Sequence, residues 1–196
     1  MRGAARRDTI LAAALEEFSA RGFAATRLDD VARKAGIAKG TIYLYFNDKE
    51  ALFQELVRSM LTPVIGSIET AFRSENPIRI IADQIVELFV REIYETRRKD
   101  VIRLIISEGP RFPKLAEFYY REVLAKILPA LRALLRRAAE RGELRNPAIA
   151  DLPQLLGAPG IIAIIWNGLF GRFEPLDVRA MMHLQFKLLF EAERAP

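Results

Sequence analysis

Three features of the chain predict an all-α fold. Apolar residues recur at three- and four-residue spacings along most of its length, the period of a helix with one buried side. No strand-like alternation persists, and no Asn-Gly or Asp-Gly hairpin is flanked by it. Glycines, prolines and short acidic residues fall where helices start and stop. The 196 residues are 51% hydrophobic and 28% charged, which is enough apolar material for a real core and enough charge for a soluble surface.

The first stripe is Ile10, Leu11, Ala14, Leu15 and Phe18. Gly22 ends that helix, and Phe23 folds back on it as the apolar contact of a Schellman cap. Thr26 then starts a second helix, with Thr26-Arg27-Leu28-Asp29 resembling a capping box. Asp29 and Asp30 suit the positive end of its dipole. Leu28, Val31 and Ala32 form its inner side, and Gly36 ends it.

The segment Ala35–Phe46, AGIAKGTIYLYF, mixes turn glycines with β-branched and aromatic residues. Between two helices it has room only for a turn and a restart. Ala32 is small where two helices would cross, Gly36 supplies a positive φ, and Ile42 is apolar six residues on. These three positions in register predict a helix-turn-helix. In a helix over 39–45, Ile42 and Phe46 point inward, leaving Lys39, Thr41, Tyr43 and Tyr45 outside. That outer set offers donors to phosphates and base edges, and ring edges to thymine methyls.

Residues 6–53, with the core TRLDDVARKAGIAKGTIYLYFNDKEALF, resemble the DNA-binding domain of the TetR family of bacterial one-component transcriptional regulators. The resemblance implies a reader domain over 1–49 and a helical ligand-binding and dimerising domain over 50–196. It implies that Lys39, Gly40, Thr41, Tyr43 and Tyr45 enter the major groove. Thr26, Arg27 and Lys49 would hold phosphates, and Arg2, Arg6 and Arg7 would supply an amino-terminal arm. This chain has Ala38 where relatives often carry a serine cap.

From Asp48, which caps the fourth helix, the chain is a series of long helices, with Pro63 expected to kink or end the first of them. Asn76-Pro77 reads as a cap followed by a first-turn proline. Ile81, Ile85, Leu88, Phe89 and Ile93 make the next stripe, and Val101–Ser107 a short apolar helix. A long helix then runs from Pro113 toward Arg141, bent at Pro129 and ended by Gly142. Its Arg132, Arg136, Arg137 and Arg141 read as a solvated side. Residues 149–170 and 178–190 are apolar on more than one side, so each needs a second partner besides its own core. Ile162, Ile165, Leu169, Met182, Phe186 and Leu189 are the expected homodimer contacts. A two-fold dimer would place two recognition helices about 34–36 Å apart.

The exclusions are broad. There is no cysteine and only one histidine, His183, so catalytic triads and Cys/His metal sites are largely excluded and no metal or cofactor is expected. His183 reads as a satisfied structural residue. The polar start MRGAARRD is not a signal peptide, which fits a cytoplasmic protein. Residues 152–171 carry no charge, but prolines, glycines and Asn167 argue against a membrane span. Residues 1–50 hold nine Lys/Arg against seven Asp/Glu, so DNA affinity must come from local placement of cations and from dimerisation. An apolar pocket among the middle helices is the expected effector site, with Phe89, Arg103, Phe118, Tyr119, Trp166 and Asn167 as lining. The sequence therefore predicts a repressor, not an enzyme, released from a palindromic operator by a hydrophobic or aromatic molecule. A DNA binder without an effector, or a helical carrier of hydrophobic ligands, is the alternative.

Overall fold

A computed structural model describes residues 2–190, with side chains from residue 3 onward. Ten α-helices run in order: α1 (Arg2–Ala25), α2 (Leu28–Lys34), α3 (Lys39–Ile42), α4 (Lys49–Phe72), α5 (Ile78–Phe89), α6 (Arg98–Glu108), α7 (Pro113–Tyr119), α8 (Ala125–Glu140), α9 (Gln154–Leu169) and α10 (Val178–Leu189). Wide π-type turns follow α5 and α7, and a short 3-10 turn precedes α9. Among the described residues no helix is long and apolar enough to cross a membrane.

The chain packs as two compact units, neither continuous in sequence. One holds residues 1–63 and 100–122, the other 64–99 and 123–196. This grouping by packing differs from the functional division at 49/50 expected from the sequence.

In the first unit, Gly22 breaks α1 at φ +75°, ψ 168°, a conformation open essentially only to glycine. Phe23 then turns into the core against Phe18 (5.5 Å), Phe53 (5.7 Å) and Phe112 (4.9 Å between centroids). Ile10, Ala14, Phe18, Val31, Ile42 and Leu52 are wholly or almost wholly buried around it. Asp48 caps α4 as expected, its Oδ1 accepting from the Ala51 N–H at 2.7 Å.

Several local expectations are corrected. The Thr26 capping box does not form. Thr26 is buried, and its hydroxyl donates back to the Gly22 carbonyl (2.8 Å) and to that of Glu17 (3.2 Å), leaving Arg27 at the N-cap without a side-chain bond. The helix expected over 39–45 is only Lys39–Ile42. Beyond it Leu44 and Tyr45 donate to carbonyls three residues back, the tight pattern expected of β-branched and aromatic residues with no hydroxyl cap at Ala38. Helix α4 runs through Pro63 without ending.

The second unit holds a continuous core built from α5, α8, α9, α10 and the end of α4. Asn76 does not cap α5. The Ile78 N–H donates to Glu143 Oε2 at 2.8 Å, so the cap comes from beyond α8. The helix from Pro113 departs from α geometry at Tyr120–Leu124, not at Pro129, which α8 accommodates. Two of the basic residues on α8 are not merely solvated: Arg137 Nη2 donates to the Phe72 carbonyl (2.7 Å) and Arg141 Nη1 to that of Glu75 (3.1 Å). They neutralise the negative end of α4. Gly142, at φ +70°, ends α8 as expected.

Replacing Gly22 by Ala should destabilise the protein by about 1–3 kcal/mol. Beyond the backbone strain, an added Cβ would lie 2.6 Å from Glu108 Oε1. Urea denaturation of Gly22→Ala alone and with Glu108→Ala separates the two costs: the second change should recover only part of the loss.

Candidate nucleic-acid interface and apolar cavity

Helices α2 and α3 are joined by a turn through Gly36, which takes φ +66°. Ile42 is fully buried and Phe46 nearly so, and these two anchors fix which side of α3 is left outside. Lys39, Gly40 and Tyr43 are exposed there, with Thr41 and Tyr45 half-buried. A Cβ built on Gly40 would meet no protein atom within 4 Å. Tyr45 leans on Phe46, 6.5 Å between ring centres. Leu44, absent from the expected set, is the most exposed large apolar side chain of the chain's described residues, at 84%.

The outer side of α3 is tied to α2 by one carboxylate. Asp29 Oδ2 lies 2.7 Å from the Lys39 ammonium, and Asp29 Oδ1 accepts from the Tyr43 hydroxyl at 3.4 Å. The hydrogen bond from Lys39 holds the Asp29 carboxyl below its usual range, with Tyr43 and Arg27 adding to it, and raises the Lys39 ammonium above its own. The depressed carboxylate pKa means the pair is complete above the ordinary carboxylate range. It is lost as pH falls through the lowered value. In the sequence Asp29 has a place in a capping box and at the helix dipole, because nothing in spacing reveals a contact across a turn.

The expected phosphate contacts divide. Arg27 is exposed at the start of α2. The Thr26 hydroxyl is buried and already bonded. Lys49 donates to the carbonyls of Phe23 (3.0 Å) and Ala24 (2.9 Å) and sits 4.7 Å from the centre of the Phe23 ring, so it closes the end of α1. Arg7 pairs with Glu55 at 2.8 Å and covers Phe46, while Arg6 is exposed. The side chain of Arg2 lies outside the described residues.

The second unit contains a cavity of about 130 Å³ between α4, α5, α8, α9 and α10. Among the described residues its walls carry no charged side chain: Ile81, Ile85, Phe89, Leu131, Leu134 and Met182 are representative. Of the six expected lining residues only Phe89 belongs to it. Phe89 lies under Gly160, where a Cβ would come within 2.6 Å of the ring. Trp166 donates to the Glu174 carbonyl at 2.7 Å. Asn167 buckles the α9–α10 connection, giving and receiving a bond with the Leu176 backbone and donating to the Tyr94 hydroxyl at 2.6 Å. Arg103, Phe118 and Tyr119 belong to the first unit. Arg103 pairs with Asp100, Phe118 lies between the Arg58 and Arg121 guanidiniums, and burial pushes the Tyr119 phenol up to about 12.

The expected dimer residues divide as well. Ile162, Ile165 and Leu169 stand exposed along one side of α9. Met182 and Phe186 do not: both are buried and line the cavity, because α10 turns that side to its own core. Leu189 is half-buried. Leu184 and Leu188, one turn apart, are the exposed apolar residues of α10.

A helix-turn-helix with a donor-rich outer side, in one chain with a helical unit, is the architecture of a DNA-binding regulator. Comparison places the chain in that class. Residues 10–56 match bacterial regulatory proteins of the tetR family, and residues 82–184 match the tetracyclin repressor-like C-terminal domain. The chain belongs to the TetR family of DNA-binding transcriptional regulators. It is 28% identical to the regulator SrpR of Pseudomonas putida over 83% of this chain and 75% of SrpR. It is 31% identical to the repressor BepR of Brucella suis over 74% of this chain and 71% of BepR. Its fold is similar to that of SmeT, the Stenotrophomonas maltophilia repressor of the multidrug efflux pump SmeDEF, in a complex with triclosan. The TM-score is 0.79 and the identity 18%, over 96% of this chain and 93% of SmeT.

Lys49 and Lys39 should behave differently on substitution. Lys49→Ala should lower stability by about 1 kcal/mol, having opened two helix-end carbonyls. Lys39→Ala should leave the melting curve unchanged and weaken binding to a specific duplex by about tenfold, the loss of one base-edge contact. Thermal melts alongside fluorescence anisotropy on labelled duplexes check both.

Proposed function

We propose that the protein is a repressor that grips a palindromic double-stranded operator as a homodimer and lets go when a small hydrophobic or aromatic effector enters the apolar cavity. In this reading residues 1–49 read DNA, and residues 50–196 sense and dimerise. The observation that carries it is the outer side of α3. Lys39, Thr41 and Tyr43 surround Gly40, where the protein leaves open space, so a duplex can approach the backbone closely. Arg27 and Tyr45 add contacts at its margin. The effector class follows from the cavity walls, where an unpaired polar or charged ligand group would find no partner. BepR's description as a repressor, and SmeT's as an efflux-pump repressor in complex with triclosan, support the same reading.

The dimer surface proposed is the exposed apolar side formed by Ile162, Ile165 and Leu169 of α9 with Leu184 and Leu188 of α10. Apolar side chains at helical spacing on two adjacent helices need a partner surface.

The test is anisotropy titration of a labelled duplex from the region upstream of the protein's own gene. Wild type should bind it with steep salt dependence, and Tyr43→Ala should lose most of the affinity. Leu184→Glu should sediment as a monomer and bind the duplex weakly. N-phenyl-1-naphthylamine, an uncharged fluorescent probe, should brighten on the wild type and less on Gly157→Leu, which adds bulk to the cavity wall where a Cβ meets nothing. A screen in which no hydrophobic compound changes DNA affinity would favour an effector-free DNA binder.

A further inference from the structure

Asp29 and Asp30 are adjacent carboxylates in the first turn of α2, with different partners. Asp30 is held by Arg33 and by Arg21 (3.6 Å), within the helical scaffold. Asp29 turns both oxygens to the reading side of α3, one to the Lys39 ammonium at 2.7 Å and one to the Tyr43 hydroxyl at 3.4 Å. Lys39 is the only cation of α3. Its ammonium and the Tyr43 phenol are donors of the kind that backbone phosphates accept. Asp29 therefore offers them, from within the protein, the same oxyanion chemistry that DNA offers from outside.

We infer that Asp29 is a specificity-determining residue, which tethers Lys39 and Tyr43 so that non-matching DNA cannot use them as free phosphate contacts. This inference rests on the reading that α3 faces DNA. An untethered lysine on a flexible stem satisfies any nearby phosphate, whatever the sequence. A phosphate brought to the tethered ammonium sets its full negative charge against the Asp29 carboxylate, and the two repel. A matching base edge is neutral and meets no such repulsion. The ammonium has three donors, so it keeps Asp29 and still gives one to a base-edge acceptor such as guanine O6 or N7. Specificity is a difference of affinities, and a built-in repulsion against the wrong partner widens it. The pair is exposed, 70% at Lys39 and 38% at Asp29, so it biases the reader without locking it.

The experiment compares two duplexes: one of random sequence, and one selected by the wild-type protein from a random library. Asp29→Asn should bind the random duplex up to about fivefold more tightly, the span of an exposed ion pair. The slope of log affinity against log salt should steepen by about 0.9, one more released counterion. The selected duplex should gain less, so the selectivity ratio should fall. Both changes should vanish in a Lys39→Ala background. Equal gains on both duplexes, or a gain that survives Lys39→Ala, would reduce Asp29 to bulk charge and overturn the inference. If Lys39→Ala alone leaves both affinities untouched, α3 does not face DNA, and the inference falls with that reading. Asp29→Ser, which keeps a short hydroxyl in the first turn of α2, gives the same readout if the asparagine variant melts early.

Discussion

The carbonyls at the end of α1 set the frame on which the reader depends. Gly22 breaks the helix and leaves acceptors without the donors of a next turn. The Thr26 hydroxyl takes the Gly22 carbonyl, and the Lys49 ammonium takes those of Phe23 and Ala24. Thr26 stands just before α2, and Lys49 begins α4. One helix end thereby locates the starts of the next two long-range elements, and α3 is slung between them. Phe18, Phe23 and Phe53 fill the space beneath, so the polar ties and the aromatic packing specify one arrangement.

The second unit solves a different problem, how to keep a void apolar inside a bundle of helix ends and charges. Its helix termini find partners both far along the chain and close by. Glu143 caps α5, Arg137 and Arg141 take the end of α4, and Asp177 accepts from the Ala180 N–H at 3.0 Å to start α10. Between α5 and α10 the polar side is sewn by Glu87–Arg179 at 2.8 Å and His183–Asp83 at 3.2 Å. The same two helices present Ile81, Ile85, Met182 and Phe186 to the cavity. Polar groups are thus satisfied at the ends and along one seam, and the middle is left to apolar walls.

Helix stripes, the glycine stops and the inward pair Ile42 and Phe46 were legible because each is a local, periodic signal. The Asp48 cap was legible for the same reason. Partners far apart in sequence were not. Thr26 reads as a cap until the Gly22 carbonyl is seen beside it, and Lys49 reads as a phosphate ligand until the end of α1 is found under it. Asn76 looks like a better cap than Glu143, which lies on the far side of α8. In the cavity, large aromatics and polar residues of the middle helices drew attention, yet the walls are mostly aliphatic residues of α4, α5, α8, α9 and α10. Met182 and Phe186 show the limit most plainly. Apolarity on more than one side of α10 says that two partners exist, and not which residue faces which.

The aromatic contact between Phe23 and Phe112 has a consequence for synthesis. The ribosome delivers residues 1–63 well before 100–122, and the intervening residues 64–99 belong to the other unit. Residues 1–63 therefore emerge with one side of Phe23 uncovered. Its packing is completed only when the chain returns with α6 and α7. A unit that must wait for a distant segment folds late, by non-local contacts. Completion of the first unit is in this way made to follow, in time, the synthesis of residues 64–99 of the other.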